Sequence, residues 1–167
     1  MGKIRTAELD DAPYILSIFQ LCDPFAKSTQ RSLNISLIDV MDWLENATEK
    51  HPMLVFEEAE SIIAWCSIEP FYGLPAFDTA SEISLYVSPQ WQAKGIGKKL
   101  IQYVEMQQAS IGFTHLVAYI YASNTKSQTF FEKQMFQQWG SLPNIAQQQN
   151  EREDVYLYGK IYGASDS

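Results

Sequence analysis

The chain has 167 residues, 46% of them hydrophobic and 19% charged, the size and make-up of one ordinary soluble domain with a single core. A formal net charge of −8 excludes a general nucleic-acid binder, which needs a basic face against the phosphates, and no apolar run approaches the roughly 18 to 20 residues of a membrane span. The two cysteines, Cys22 and Cys66, fit neither a disulfide framework nor a zinc site, and the opening lacks the apolar stretch of a secretory signal, so a cytoplasmic home is expected.

A single domain is expected over 1–163, with a short tail at 164–167. Lys3 to Ala7 reads as a strand. Asp10 or Asp11 then caps a helix whose apolar face runs through Ile15, Ile18 and Phe19. From Asp23 to Asn34 the chain is polar and irregular. A second helix is expected from about Leu37 to Ala47, with His51-Pro52 as its stop. "MLVFEE" and "SIIAWCSIEP" read as strands joined across Ala59 and Glu60 in a hairpin, and a loop with Gly73 and Pro75 follows. "SEISLYVSP" alternates, with Ile83, Leu85 and Val87 on one face and Glu82, Ser84 and Tyr86 on the other, as in a half-buried strand. Pro89 ends it.

Beyond Gly97, Leu100, Ile101, Val104 and Ile111 recur near helical spacing, and Gly112 is placed to cap the helix. "HLVAYIY" is a further strand, and "NTKSQTFFEKQ" a helix capped by Asn124. "EDVYLYGKIY" is a last strand, with tyrosines at 156, 158 and 162, and the glutamines at 147–149 read as a loop. Strands and helices mix in an α/β chain with no repeat, low-complexity tract or linker. His51 follows a helix and His115 begins a strand, so neither belongs to a nucleophilic constellation, and no metal site is expected. Cys66 lies mid-strand, which suits core packing better than a covalent relay.

The stretch "PQWQAKGIGKKL" carries the chemistry. Strand, proline, glycine turn and helix together aim backbone N–H groups and the positive end of a helix dipole at one place, where a phosphate sits well. Between Glu82 and Glu105 there is no acidic residue, while Lys94, Lys98 and Lys99 all fall there, so an anionic ligand belongs in this window. A Walker A loop fails at Gln92 and Lys99, and a Rossmann fingerprint fails at Leu100. What remains is Gln92-x-x-Gly95-x-Gly97.

On this motif the chain resembles the GNAT superfamily of N-acetyltransferases, whose signature is Gln or Arg, two residues, Gly, one residue, then Gly or Ala. The likeness extends from "IRTAELDDAPYI" through "GKKLIQYVEMQQASIGFTHLVAYI" to the final strand. "ASEISLYVSPQWQAKGIGKKL" is similar to the phosphinothricin acetyltransferase-like branch. The resemblance implies a mixed α+β fold: a mostly antiparallel, twisted sheet of six to seven strands, flanked by helices, with the fourth and fifth strands splayed. It also implies transfer of acetyl from acetyl-CoA, with no metal, to the primary amine of a small molecule, most readily an amino acid or an analogue such as phosphinothricin. Attack would be direct, in a ternary complex.

An amine near pKa ~10.4 is mostly protonated at neutral pH, so a base must help. The resemblance gives that role to Glu82. It places the pantetheine arm along Leu85, Tyr86 and Val87, and the pyrophosphate on Gln92, Ala93, Lys94, Gly95, Ile96, Gly97 and Lys98. Asn124, Ser127 and Phe131 would meet the cofactor from the other side, although Asn124 also reads as a plain N-cap. Phe71, Tyr72 and Tyr119, from an aromatic group that includes Phe77, Tyr121 and Trp139, are candidates to line the acceptor pocket; core packing is the commoner fate of such residues.

Phe131 stands where relatives carry a tyrosine or histidine, and Met135 replaces a usual glycine. Tyr72 and Leu74 stand where that branch tends to have basic residues. A protein, peptide or polyamine acceptor is the alternative within the same chemistry, and a non-catalytic acyl-CoA sensor is the alternative of another class. Members of the branch are often dimers, and the alternating tyrosines of the last strand suggest such an interface. No nucleic acid and no membrane is expected as partner.

Overall fold

A computed structural model describes residues 2–23, 35–148 and 150–163. The irregular segment expected up to Asn34 therefore lies, beyond Asp23, outside the described residues, as do Gln149 and the tail.

In chain order the elements are β1 (Lys3–Thr6), α1 (Ala12–Cys22), α2 (Leu37–Asn46), β2 (Met53–Glu58), β3 (Ser61–Pro70), β4 (Ala80–Val87), α3 (Ile96–Met106), α4 (Gln108–Ile111), β5 (His115–Tyr121), α5 (Thr125–Lys133), β6 (Gln137–Gln148) and β7 (Glu151–Ile161). Seven strands form one sheet in the order β1-β2-β3-β4-β5-β7-β6. β1 with β2, β2 with β3, β5 with β7 and β6 with β7 pair antiparallel, whereas β4 and β5 run parallel over Ala80–Glu82 against His115–Val117. Two compact units divide the chain: Met1–Ser67 with Leu85–Gln107, and Ile68–Ser84 with Gln108–Ser167.

In the first unit, the apolar side of α1 (Ile15, Ile18) and Val40 of α2 pack on Met53, Val55 and Trp65. Asp11 occupies the N-cap position of α1 without capping it through its side chain. Its carboxylate instead receives both terminal nitrogens of Arg5, at 2.8 and 2.9 Å, and the Glu8 N–H at 2.8 Å. Burial opposes ionisation of Asp11, but the Arg5 and Glu8 bonds outweigh it and hold the carboxyl below its ordinary range. At the β2–β3 hairpin, Ala59 and Glu60 have φ of 50° and 66°. Positive φ at both turn residues is the type I′ pattern, whose twist matches the strands.

α2 stops at Asn46, short of His51-Pro52: Ala47 is already extended. A small turn follows, with Thr48 N–H donating to the His51 carbonyl at 3.0 Å and His51 N–H to Thr48 Oγ1 at 3.1 Å. Leu100, Ile101 and Val104 form the buried side of α3.

The helix expected to run on to Gly112 stops at Met106 as α3, and the second unit carries the separate α4, Gln108–Ile111. The Gln108 side chain ties that short second piece to the carbonyls of Phe113 and Gly163. Gly112, at φ 88°, ends it. β7 lies between β5 and β6, so its tyrosines do not line a sheet edge. Tyr158 is buried and donates to Glu132 Oε1 at 3.1 Å, which removes it from the suggested interface.

The first two glutamines of the run are not a loop: Gln147 and Gln148 pair with Arg152 and Glu151 at the end of β6. That strand escaped sequence reading because its register slips twice, between Gln138 and Gly140 and between Leu142 and Ala146. Pro143 falls inside the second slip, where a missing N–H costs no ladder bond.

Candidate active site

β4 carries the candidate site. Phe71 N–H donates to the Ala80 carbonyl at 3.3 Å, and Ser88 N–H to the Ile63 carbonyl at 2.8 Å. The two bonds share one antiparallel register, which also sets Trp65 opposite Tyr86; those rings stack at 4.8 Å. In that register the alternate residues Leu85 and Val87 turn their N–H and C=O groups away from β3. Tyr86 faces the aromatic core, edge-on to Phe19 at 5.3 Å.

The Val87 carbonyl is occupied by two donors, the nearby Gln92 Nε2 at 2.9 Å and, from α1, Cys22 Sγ at 3.1 Å. Gln92, first residue of the motif, thus fastens the turn to the end of β4. Past it, Ala93 and Gly95 have φ of 62° and 81°, and Gly95 is the N-cap of α3. The N–H groups of Ile96, Gly97 and Lys98, in the first turn of α3, have no acceptor within the helix, and a Cβ on Gly95 would meet nothing within 4 Å. Ile96 and Gly97 are buried, while Lys94 and Lys98 are exposed. Lys94 sits 5.1 Å over the Trp91 ring and Lys99 6.0 Å over Phe56. The turn therefore offers oriented N–H donors, the helix dipole and positive charge, the chemistry that suits a pyrophosphate.

Glu82 is half-buried within the parallel ladder, paired with Val117. Burial, then the carboxylate of Glu69, pushes its carboxyl up to about 7. One step of two residues along β5 from Val117 is Tyr119, 41% exposed. Its phenol is raised by burial and by the nearby Glu82 charge. Phe71 and Tyr72 lie in the loop leading to β4, both against Phe77, with ring centroids 6.1 and 5.2 Å away. Tyr72 is 67% exposed.

Glu69 escaped the sequence reading. The strand register reveals it: two residues back from Phe71 and two on from Ala80 set Glu69 directly opposite Glu82.

Asn124 is the N-cap of α5, its Oδ1 accepting the Ser127 N–H at 3.1 Å. Phe131 is buried edge-on between Phe130 and Phe136, at 5.2 and 5.0 Å. Burial pushes the Cys66 thiol up to about 12 and, with Asp23, the Cys22 thiol to about 11, so neither is a ready nucleophile. Among the described residues no group of three or more His, Cys, Asp or Glu is placed to hold a metal ion, and no helix is long and apolar enough to cross a membrane.

The family model described as "Acetyltransferase (GNAT) family" matches residues 13–136, which include β4, the glycine turn and α5. The chain belongs to the GNAT acetyltransferase family. As a member of that family it is an acyltransferase. This GNAT protein is 31% identical over 158 residues to the Bacillus subtilis (strain 168) protein "Putative phosphinothricin acetyltransferase YwnH", covering 94% of this chain and 97% of the relative. It is 24% identical to the L-amino acid N-acyltransferase MnaT of Escherichia coli (strain K12), covering 86% and 84%. Its fold matches that of the GNAT superfamily phosphinothricin acetyltransferase (Pat) from Sinorhizobium meliloti in complex with AcCoA, with a TM-score of 0.83 at 20% identity, over 97% of this chain and 89% of that one.

Proposed function

We propose that this GNAT enzyme transfers the acetyl group of acetyl-CoA to the primary amine of a small molecule, by direct attack of the amine on the thioester. The observation that carries the reading is Glu82, a half-buried carboxyl held at about 7 on the strand that leads into the glycine turn. An alkylammonium near ~10.4 lies about 3 units above such a base, so moving its proton there costs roughly 4 to 5 kcal/mol, against roughly 8 for an ordinary glutamate. Glu82 takes a proton from the ammonium, directly or through one water. The amine nitrogen then bonds the acetyl carbon as the carbon–sulfur bond breaks, and the second proton that the nitrogen must shed to become a neutral amide passes to water.

Leu85 and the Val87 N–H serve the pantetheine arm as an added strand would, and a β4 N–H steadies the charge that develops on the carbonyl oxygen. Ile96, Gly97 and Lys98 give their N–H groups to the pyrophosphate, with Lys94 and Lys98 adding charge; Gln92 and Gly95 shape the turn. Asn124 and Ser127 meet the cofactor at the start of α5. A thiolate of pKa ~8.5 leaves without a proton donor, which accords with the apolar ring at Phe131. Phe71, Tyr72 and Tyr119 line the acceptor side. The names of the relatives support a small acceptor of amino-acid size.

A thiol-release assay with acetyl-CoA against amino acids, their analogues, polyamines and peptides tests this. Turnover with a small amine is expected, with an acid limb in kcat/KM near pH 7 that disappears in Glu82→Gln. Release no faster than buffer with every amine, or a limb that persists in Glu82→Gln, would overturn the reading.

A further inference from the structure

We propose that Glu69 is a positioning residue for this transfer: held directly across the strand pair from Glu82, its carboxylate makes Glu82 the stronger base. The inference rests on the reading of Glu82 as the base and adds a second residue to it. The geometry is fixed by backbone rather than by flexible side chains. The Phe71-to-Ala80 bond sets the register in which Glu69 and Glu82 are opposite one another, and directly opposed residues project from the same face of a sheet, with Cβ atoms about 5 Å apart. Like charges so placed oppose one another, and such a pair is avoided in sheets unless something offsets its cost.

Glu82 is the half-buried member and Glu69 the exposed one. The field therefore falls on the group that water screens less. Among the described residues, Glu69 from β3 is the charged group that raises Glu82, and the Glu82 charge in turn raises the Tyr119 phenol on β5. No lysine, arginine or histidine lies in the stretch 68–84 that carries both glutamates. Nothing in that stretch of sequence neutralises the pair.

The test is Glu69→Gln, with Glu69→Asp as the variant that keeps the charge. At an effective dielectric between that of a protein surface and water, losing a unit charge at this range shifts Glu82 by about 0.5 to 1 pH unit. The acid limb of kcat/KM in Glu69→Gln is expected to move to lower pH by that amount. Plateau kcat should fall about 2- to 3-fold, as a weaker base transfers the proton less well. Glu69→Asp should keep the limb within about 0.3 unit of the parent's position. A residue that merely supports the fold would lower the rate at every pH without moving the limb, and that result would overturn the proposal.

A carbon-13 NMR titration of glutamate carboxyls in the protein alone gives a readout independent of turnover. The Glu82 midpoint should fall in Glu69→Gln, and an unchanged midpoint would overturn the proposal whether or not the enzyme is active. Failure of the parent reading looks different: the acid limb then survives Glu82→Gln.

Discussion

Replacing Glu82 by Gln should make the protein more stable while it loses activity, and the gain should depend on pH. In the folded chain the Glu82 carboxyl titrates at about 7, against 4.5 in an unperturbed glutamate. Below the lower value both states carry the proton and the group costs nothing. As pH rises from 4.5 towards 7, the unfolded chain releases the proton while the folded chain keeps it, so stability falls across that window and then levels.

The difference of about 2.5 units sets an upper limit of roughly 3.4 kcal/mol. Water still reaches part of the side chain and screens both it and Glu69, which brings the expectation down to about 1 to 2 kcal/mol. Gln is nearly isosteric and never ionises. Thermal melts of parent and variant should nearly coincide at pH 4.5 to 5 and separate at pH 8, the variant melting about 2 to 8 °C higher, given about 2 to 4 °C per kcal/mol for a chain of this size. A gap of constant size from pH 5 to 8, or a variant that melts lower at pH 8, would refute the argument that burial and Glu69 hold Glu82 in this state.

Met135 sits at φ 71°, and around it Phe136 N–H returns to the Phe131 carbonyl and Met135 N–H to that of Glu132, both at 3.0 Å. This is a Schellman ending with methionine at the left-handed position, so Met135→Gly should stabilise by about 1 kcal/mol, raising the melting temperature by roughly 2 to 4 °C. Replacing Lys94 and Lys98 together by alanine should weaken acetyl-CoA binding roughly 3- to 10-fold in low salt and flatten its salt dependence, as read by calorimetry at two ionic strengths; kcat should change little once cofactor is saturating.

Where local pattern determines structure, the sequence was a good guide. The strands 53–58, 61–70 and 115–121 begin and end where their apolar runs and turn residues place them. Asn124 caps its helix as its side-chain chemistry dictates. The failures have physical causes of their own. β6 is held in place by β7 and by side-chain bonds such as Asp154 Oδ1 with the Asn144 N–H at 2.7 Å, none of which leaves an alternating pattern. Beyond the break at Gln107, Gln108 reaches a carbonyl 55 residues away, a partner that no local pattern displays.

The site divides in the same manner. Glu82 and the glycine turn were visible because each is a short stretch with its own chemistry. Glu69 was not, because the role proposed for it arises only when a backbone register sets it against Glu82. The occupied carbonyl of Val87 and the clasp from Gln92 were equally hidden, since a motif letter says nothing about where its side chain points.

The two slips in β6 bear on how the protein behaves in a crowded solution. A sheet's outermost strand is the natural template on which another chain can add itself and begin open-ended stacking. Here that strand departs twice from a regular pleat, with Pro143 and the left-handed Asn144 at φ 53° inside the second departure, so an incoming strand finds no long run of evenly spaced donors and acceptors to copy. The opposite rim, β1, is only four residues long. Straightening the 142–146 stretch by substituting Pro143 and Asn144 with β-formers would thus trade a harmless irregularity for a surface prone to aggregate.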